Sequence, residues 1–176
     1  MIDSVLNNSE ELHLPLADEV ATLALGTAIG DVLLRSAGGA LIYLLGELGA
    51  GKTTLSRGIL RGMGYSGRVK SPTYTLVEVY VISRLNLYHF DFYRFGEPEE
   101  WQEAGFRDLF NETNICLVEW PEKAGELLPP PDLRIALKST LMGTREAHIE
   151  PSSPKGRQML STMKTLPPAE PETSAT

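Results

Sequence analysis

The sequence predicts an α/β layered domain built on a mixed, mainly parallel central sheet with flanking antiparallel strands. Two short apolar runs, Ala40–Leu45 and Ile115–Glu119, have the character of strands buried on both faces. Stretches of helical periodicity stand between the strand-like segments. Two closely spaced β-rich pairs, Thr75–Ile82 with Leu85–Tyr93 and Leu133–Lys138 with Arg145–Ile149, supply antiparallel strands.

Taken in chain order, the first dozen residues read as irregular. Asp18 to Arg35 reads as a helix: Ala21, Leu25, Ala28, Ile29 and Val32 share one face, and Asp18 suits the positive end of the helix dipole. Gly38 and Gly39 stop it, and the Ala40–Leu45 strand follows. A glycine-rich loop then leads into a helix from about Lys52 to Arg61. Ser83 and Arg84 join the first β-rich pair as a hairpin. Pro98 opens a helix carrying Trp101, Phe106 and Leu109. From Pro151 the composition shifts to Pro, Ser and Thr, so residues 1–150 read as one domain and 151–176 as a disordered or loosely attached tail.

The chain has 176 residues and a formal net charge of -7, from 16 basic and 23 acidic side chains. That balance disfavours sequence-independent grip on a phosphate backbone. A single cysteine, Cys116, excludes a disulfide framework or thiolate zinc site within the chain. No apolar run reaches the ~18 residues of a membrane span. Residues 1–12 lack the basic-then-apolar pattern of a signal peptide, so the expected location is the cytoplasm.

Chemistry enters at Gly46-Glu47-Leu48-Gly49-Ala50-Gly51-Lys52-Thr53, which fits G-x-x-x-x-G-K-[ST] without a mismatch. Glycines let the backbone turn its N–H groups onto phosphate oxygens, and the following helix adds its positive end. In this pattern Lys52 reaches the β- and γ-phosphates and the Thr53 hydroxyl ligates Mg²⁺. The apolar strand before the loop and the helix after it are the expected context, and they specify a three-layer domain of the P-loop NTPase type.

Such a loop needs a further carboxylate at a neighbouring strand end. Asp91 and Glu119 each close an apolar run, and spacing does not decide which of them meets the metal. Thr73 and Thr75 lie where P-loop switch proteins place a threonine that senses the γ-phosphate. Arg94 reads as a surface arginine or a charge stabiliser. His89 alternates onto the face of Asp91 and is expected to hydrogen-bond there. Lys70, Arg68, Arg57 and Arg61 form a modest basic group that reads best as a solvated face.

These segments together resemble the TsaE (YjeE) family of bacterial P-loop ATPases. The resemblance is carried by GELGAGKTTLSRG at Gly46–Gly58, VKSPTYTLVE at Val69–Glu78, YHFDFYR at Tyr88–Arg94 and ICLVEWPE at Ile115–Glu122. The likeness also covers Ala21–Gly26 and Met142–Ile149, and the whole spans about Leu14–Ile149.

The resemblance implies that the nucleotide is ATP, with Gly49, Ala50, Gly51, Lys52, Thr53 and Thr54 lining the phosphates and Thr53 and Glu119 holding Mg²⁺. It implies that Asp91 is the catalytic aspartate, Thr73 the switch threonine and Trp120 a functional aromatic. Glu19 and Gly143 fall in stretches that approach the nucleotide in relatives. It further implies work beside a TsaB–TsaD heterodimer that modifies A37 of tRNA to threonylcarbamoyladenosine, the ATPase sustaining turnover without performing the transfer. A small-molecule P-loop kinase is the alternative, but no arginine-dense lid segment is present; a GTP switch would carry [NT]-K-x-D, and none is found. A non-hydrolysing scaffold sits poorly with two strand-end carboxylates.

Overall fold

The computed structural model describes residues 11–165. Seven strands form one sheet in the order β1-β7-β6-β2-β5-β4-β3. The strands are β1 (Leu12–Leu16), β2 (Ala40–Leu45), β3 (Val77–Ile82), β4 (Leu85–Asp91), β5 (Ile115–Glu119), β6 (Leu133–Ser139) and β7 (Arg145–Pro151). The four central strands β6, β2, β5 and β4 run parallel, with antiparallel β3 at one edge and β7 and β1 at the other. The expected mixed sheet is therefore present.

Helices α1 (Glu19–Arg35) and α2 (Lys52–Gly62) cover one face. Asp18 caps α1 by accepting a 2.8 Å hydrogen bond from the Ala21 amide. The two helices meet through glycine. A Cβ on Gly30 would stand 2.3 Å from the Ile59 carbonyl oxygen, and one on Gly26 2.7 Å from the Gly58 Cα. Beneath them Ile29, Leu33, Leu55 and Ile59 pack on Ile42, Leu44, Leu117 and Ile135 of the sheet. The other face carries a second, aromatic core of Tyr43, Phe90, Phe92, Phe95 and Trp101, under the short helix α3 (Glu99–Glu103) and several 3₁₀ turns.

Four local expectations are corrected. Of the first dozen residues, read as irregular, 1–10 lie outside the described residues, and Leu12 already begins the edge strand β1. Its pattern is short and interrupted by Pro15, which an edge strand tolerates, and its partner β7 lies far along the chain. The helix expected to carry Trp101, Phe106 and Leu109 breaks at Gly105, whose φ is +74°, and leaves Leu109 in a 3₁₀ turn. The strand expected from Thr75 starts at Val77, because residues 72–76 make a turn closed by the Leu76 amide on the Pro72 carbonyl.

The fourth correction concerns the tail. Residues 151–165 are not loosely attached: Pro151 ends β7, and Pro154–Thr165 form helix α4. Met159 and Leu160 of α4 are buried in the α1–α2 core. Ser153 accepts from the Gly156 amide at 3.0 Å and donates to Asp132 at 2.6 Å, and Lys155 donates to the Gly39 carbonyl. Ser153-Pro154 is in fact a helix-start signal, a capping serine followed by proline at the first helical position. Residues 166–176 of the expected tail lie outside the described residues.

Candidate functional site

The Gly46–Thr53 loop leaves the C-terminal end of β2 and enters α2. Its shape depends on glycine: Gly49 and Gly51 have φ of +81° and +106°, where a Cβ is strained. Gly51 is the N-cap of α2 and offers no side-chain acceptor, so the first-turn amides have no side-chain cap. These amides and the positive end of the helix open onto a cleft of about 290 Å³.

Lys52 is buried, with its Nζ donating to the Gly46 and Glu47 carbonyls at 2.6 and 2.9 Å. Burial pushes the Lys52 ammonium below the ordinary lysine range, and the charges of Glu119 and Asp91 oppose that shift. The Trp120 ring lies 4.3 Å from Nζ and covers the cation. Trp120 reaches this place because its backbone turns left-handed immediately after β5, at φ 57° and ψ 48°. Tyr93 packs beside it, with ring centroids 5.1 Å apart.

The two strand-end carboxylates stand side by side, because β4 and β5 are parallel and pair Asp91 with Glu119. Each is held by a separate set of donors. Glu119 Oε1 accepts from the Thr53 hydroxyl at 3.1 Å and lies 2.8 Å from His89 Nε2. Asp91 accepts from the Thr73 hydroxyl at 2.9 Å through Oδ2, and from the Tyr93 amide at 2.9 Å through Oδ1. Ser71 joins Thr73 at 2.8 Å. Of the two candidate threonines, Thr73 lines the cleft, whereas Thr75 lies outside that lining and donates to Glu78.

His89 is corrected: its partners are Glu119 and, at 3.3 Å, Ser56, rather than Asp91. A carboxylate only accepts, so the Nε2 proton points at Glu119. Arg94 lies over the Tyr74 ring at 4.4 Å and does not line the cleft. Ala50 is buried inside the loop. Glu19 is exposed and pairs with Arg57 at 3.3 Å, tying α1 to α2 outside the cleft. Gly143 sits in the β6–β7 turn with φ +79°, also outside the cleft lining.

Two residues after Gly143, Arg145 does line the cleft, and its Nε would stand 3.3 Å from a Cβ placed on Gly51. No local pattern marks Arg145. It reaches the loop only because β7 folds back along β6 and β6 lies beside β2. Ser71, Tyr93 and the exposed Leu48 complete the lining, and none was singled out from sequence.

A family model described as threonylcarbamoyl adenosine biosynthesis protein TsaE matches residues 16–147. The chain belongs to the TsaE family. Among TsaE relatives, the Haemophilus influenzae tRNA threonylcarbamoyladenosine biosynthesis protein is 48% identical over 128 residues, covering 72% of this chain and 81% of the relative. The Treponema pallidum protein of the same description is 36% identical over 121 residues, with 69% and 87% covered. A crystal structure of Bacillus subtilis YdiB superposes with a TM-score of 0.74 at 27% identity, over 88% of this chain and 94% of that one. The TsaE match ends before α4, so the Ser153–Thr165 segment is beyond the family model. Among the described residues no helix is long and apolar enough to cross a membrane.

Proposed function

We propose that this protein is the Mg²⁺-dependent, ATP-binding and ATP-hydrolysing component of a tRNA N6-threonylcarbamoyladenosine system, acting beside a TsaB–TsaD-like pair in the cytoplasm. The observation that carries the nucleotide reading is the loop itself. It combines an α2 N-terminus without a side-chain cap, a buried lysine, and a threonine hydroxyl bonded to a strand-end carboxylate. Family membership carries the tRNA-modification reading.

The donor set fits both groups. Backbone amides of residues 49–54 and the Lys52 ammonium suit phosphate oxygens, and the oxygens of Thr53 and Glu119, with Asp91 alongside, suit a hard divalent cation. Bound Mg²⁺ supplies charge neutralisation on the phosphate oxygens. The chain's own residues do the rest. Lys52 exchanges its two loop carbonyls for phosphate oxygens and offsets negative charge there. Asp91 and Thr73 form a hydrogen-bonded pair opposite the loop, placed to orient a water for in-line attack. Arg145 brings a second fixed cation to the loop from β7. Trp120 and Tyr93 wall the Lys52 side of the cleft and limit water there.

A larger hollow, about 640 Å³, lies at the opposite end of the sheet between Gly38–Leu41, Phe110 and Pro129. It contains none of these groups and contributes nothing to this chemistry.

The test is the Mg²⁺-dependent ATP hydrolysis rate, measured alone and with a purified TsaB–TsaD pair from the same source. A clear rise with the pair is expected. Tight ATP binding with no rise beside a competent pair would remove the partner-activated reading, and phosphate transfer to a small acceptor would replace it with a kinase.

A further inference from the structure

Outside the cleft, the free edge of the sheet gathers a second set of ligating side chains. β1 and β7 pair antiparallel with His13 opposite His148, so both imidazoles stand on one face. Glu150 lies two residues along β7 on that same face, and Glu11, one residue before β1, also reaches His148. The two rings stack, with centroids 4.0 Å apart and planes 14° from parallel. Both Nε2 atoms turn to one carboxylate: Glu11 Oε2 is 2.9 Å from His148 and 3.7 Å from His13. Glu150 Oε1 lies 3.6 Å from the same His148 nitrogen. One donor atom from each of Glu11, His13 and His148 lies within 4.8 Å of the other two.

We propose that this face binds one divalent transition-metal ion of the zinc type through His13, His148 and Glu11, with Glu150 as the adjacent fourth donor. Two imidazoles with carboxylates are a borderline donor set that suits zinc, copper or nickel, in contrast to the all-oxygen set around Thr53 and Glu119. Metal bonds of about 2.0–2.1 Å in a tetrahedron place ligand atoms roughly 3.3 Å apart. The donors here must therefore close by no more than about 1.5 Å, which small χ rotations of side chains with one open side accomplish. A bound ion would join the edge strand β1 to β7 and so oppose fraying of the N-terminal strand. The simpler reading is a solvated carboxylate–imidazole hydrogen bond beside a stacked histidine pair, and it differs in having no affinity for metal.

The experiment is calorimetric titration of untagged full-length protein with zinc chloride in excess Mg²⁺, with imidazole proton shifts followed by NMR. One equivalent is expected to bind at roughly micromolar Kd or tighter, shifting both His13 and His148 and raising Tm. His13→Asn and His148→Asn should each weaken binding at least about tenfold. The Glu119→Gln variant should bind zinc as the wild type does. Two results would overturn the proposal: zinc affinity unchanged in the double His13→Asn, His148→Asn variant, which places the ion elsewhere, or no binding tighter than about 0.1 mM in the wild type. Asparagine at these half-open edge positions keeps a polar side chain, and far-UV circular dichroism checks that each variant is folded.

Discussion

At the scale of single residues, the cleft separates groups that act on charge from groups that hold them in place. On the proposed nucleotide reading Lys52 would give up only two carbonyl contacts to meet a phosphate, so Lys52→Ala is expected to lose most nucleotide affinity, about a hundredfold, in a fluorescent-nucleotide titration. Glu119→Ala should lose only the part of the affinity that depends on Mg²⁺. His89 is fully buried and does not line the cleft; it orients Glu119 through one hydrogen bond. His89→Ala is therefore expected to weaken Mg²⁺-dependent binding about tenfold and leave Mg²⁺-free binding unchanged. Equal losses with and without Mg²⁺ would show a general structural role instead. Cys116 makes a simpler case. Burial pushes its thiol up to about 12 from 9.0. Native protein at pH 8 should resist alkylation, and denatured protein should react at once. The sign for stability follows from proton counting: above pH 9 the unfolded thiol ionises before the folded one, so this group's effect on stability becomes increasingly unfavourable up to about pH 12.

At the scale of elements, the contact between α1 and α2 decides how the loop is presented. Gly26 and Gly30 of α1 lie against Gly58 and Gly62 of α2, backbone on backbone. A methyl group there cannot be absorbed by moving a flexible side chain. Gly30→Ala should destabilise the fold by about 1–3 kcal/mol or more, read as a lowered urea midpoint with an unchanged slope. Because α2 carries Lys52 and Thr53 at its first turn, the same change is expected to weaken nucleotide binding through misplacement of that turn. Both helices were legible from the periodicity of their apolar residues, but the glycine face was not, since a glycine reads locally as a helix weakener. The short α3 shows the converse. Trp101 and Phe106 suggested one helical face, and the positive φ of Gly105 divided it.

For the molecule as a whole, α4 changes what counts as the domain. Met159 and Leu160 join the same core as α1, β6 and β7. Truncation after Glu150 should therefore lower stability by several kcal/mol, at about 1.5–3 kcal/mol for each large apolar side chain removed from the core. A thermal melt checks this. At temperatures where the truncated protein stays folded, nucleotide affinity should match the full chain, because no cleft residue lies beyond Arg145. An unchanged Tm would mean that α4 contributes nothing to the core.

What the sequence determined by itself was local or periodic: the glycine-rich Gly46–Thr53 loop, both strand-end carboxylates, the two long helices, the buried strands β2 and β5, and enough motif order to identify the family. Each of these is encoded in a few consecutive residues, where spacing and composition are the physical signal. The tertiary structure decided the rest. Glu119 rather than Asp91 receives the Thr53 hydroxyl, Asp91 takes Thr73, His89 backs Glu119, and Arg145 reaches Gly51. All four depend on strand order and register between segments far apart in the chain. Side-chain alternation tells which face a residue occupies, but only the pairing of β4 with β5 and of β7 with β6 tells what it meets there.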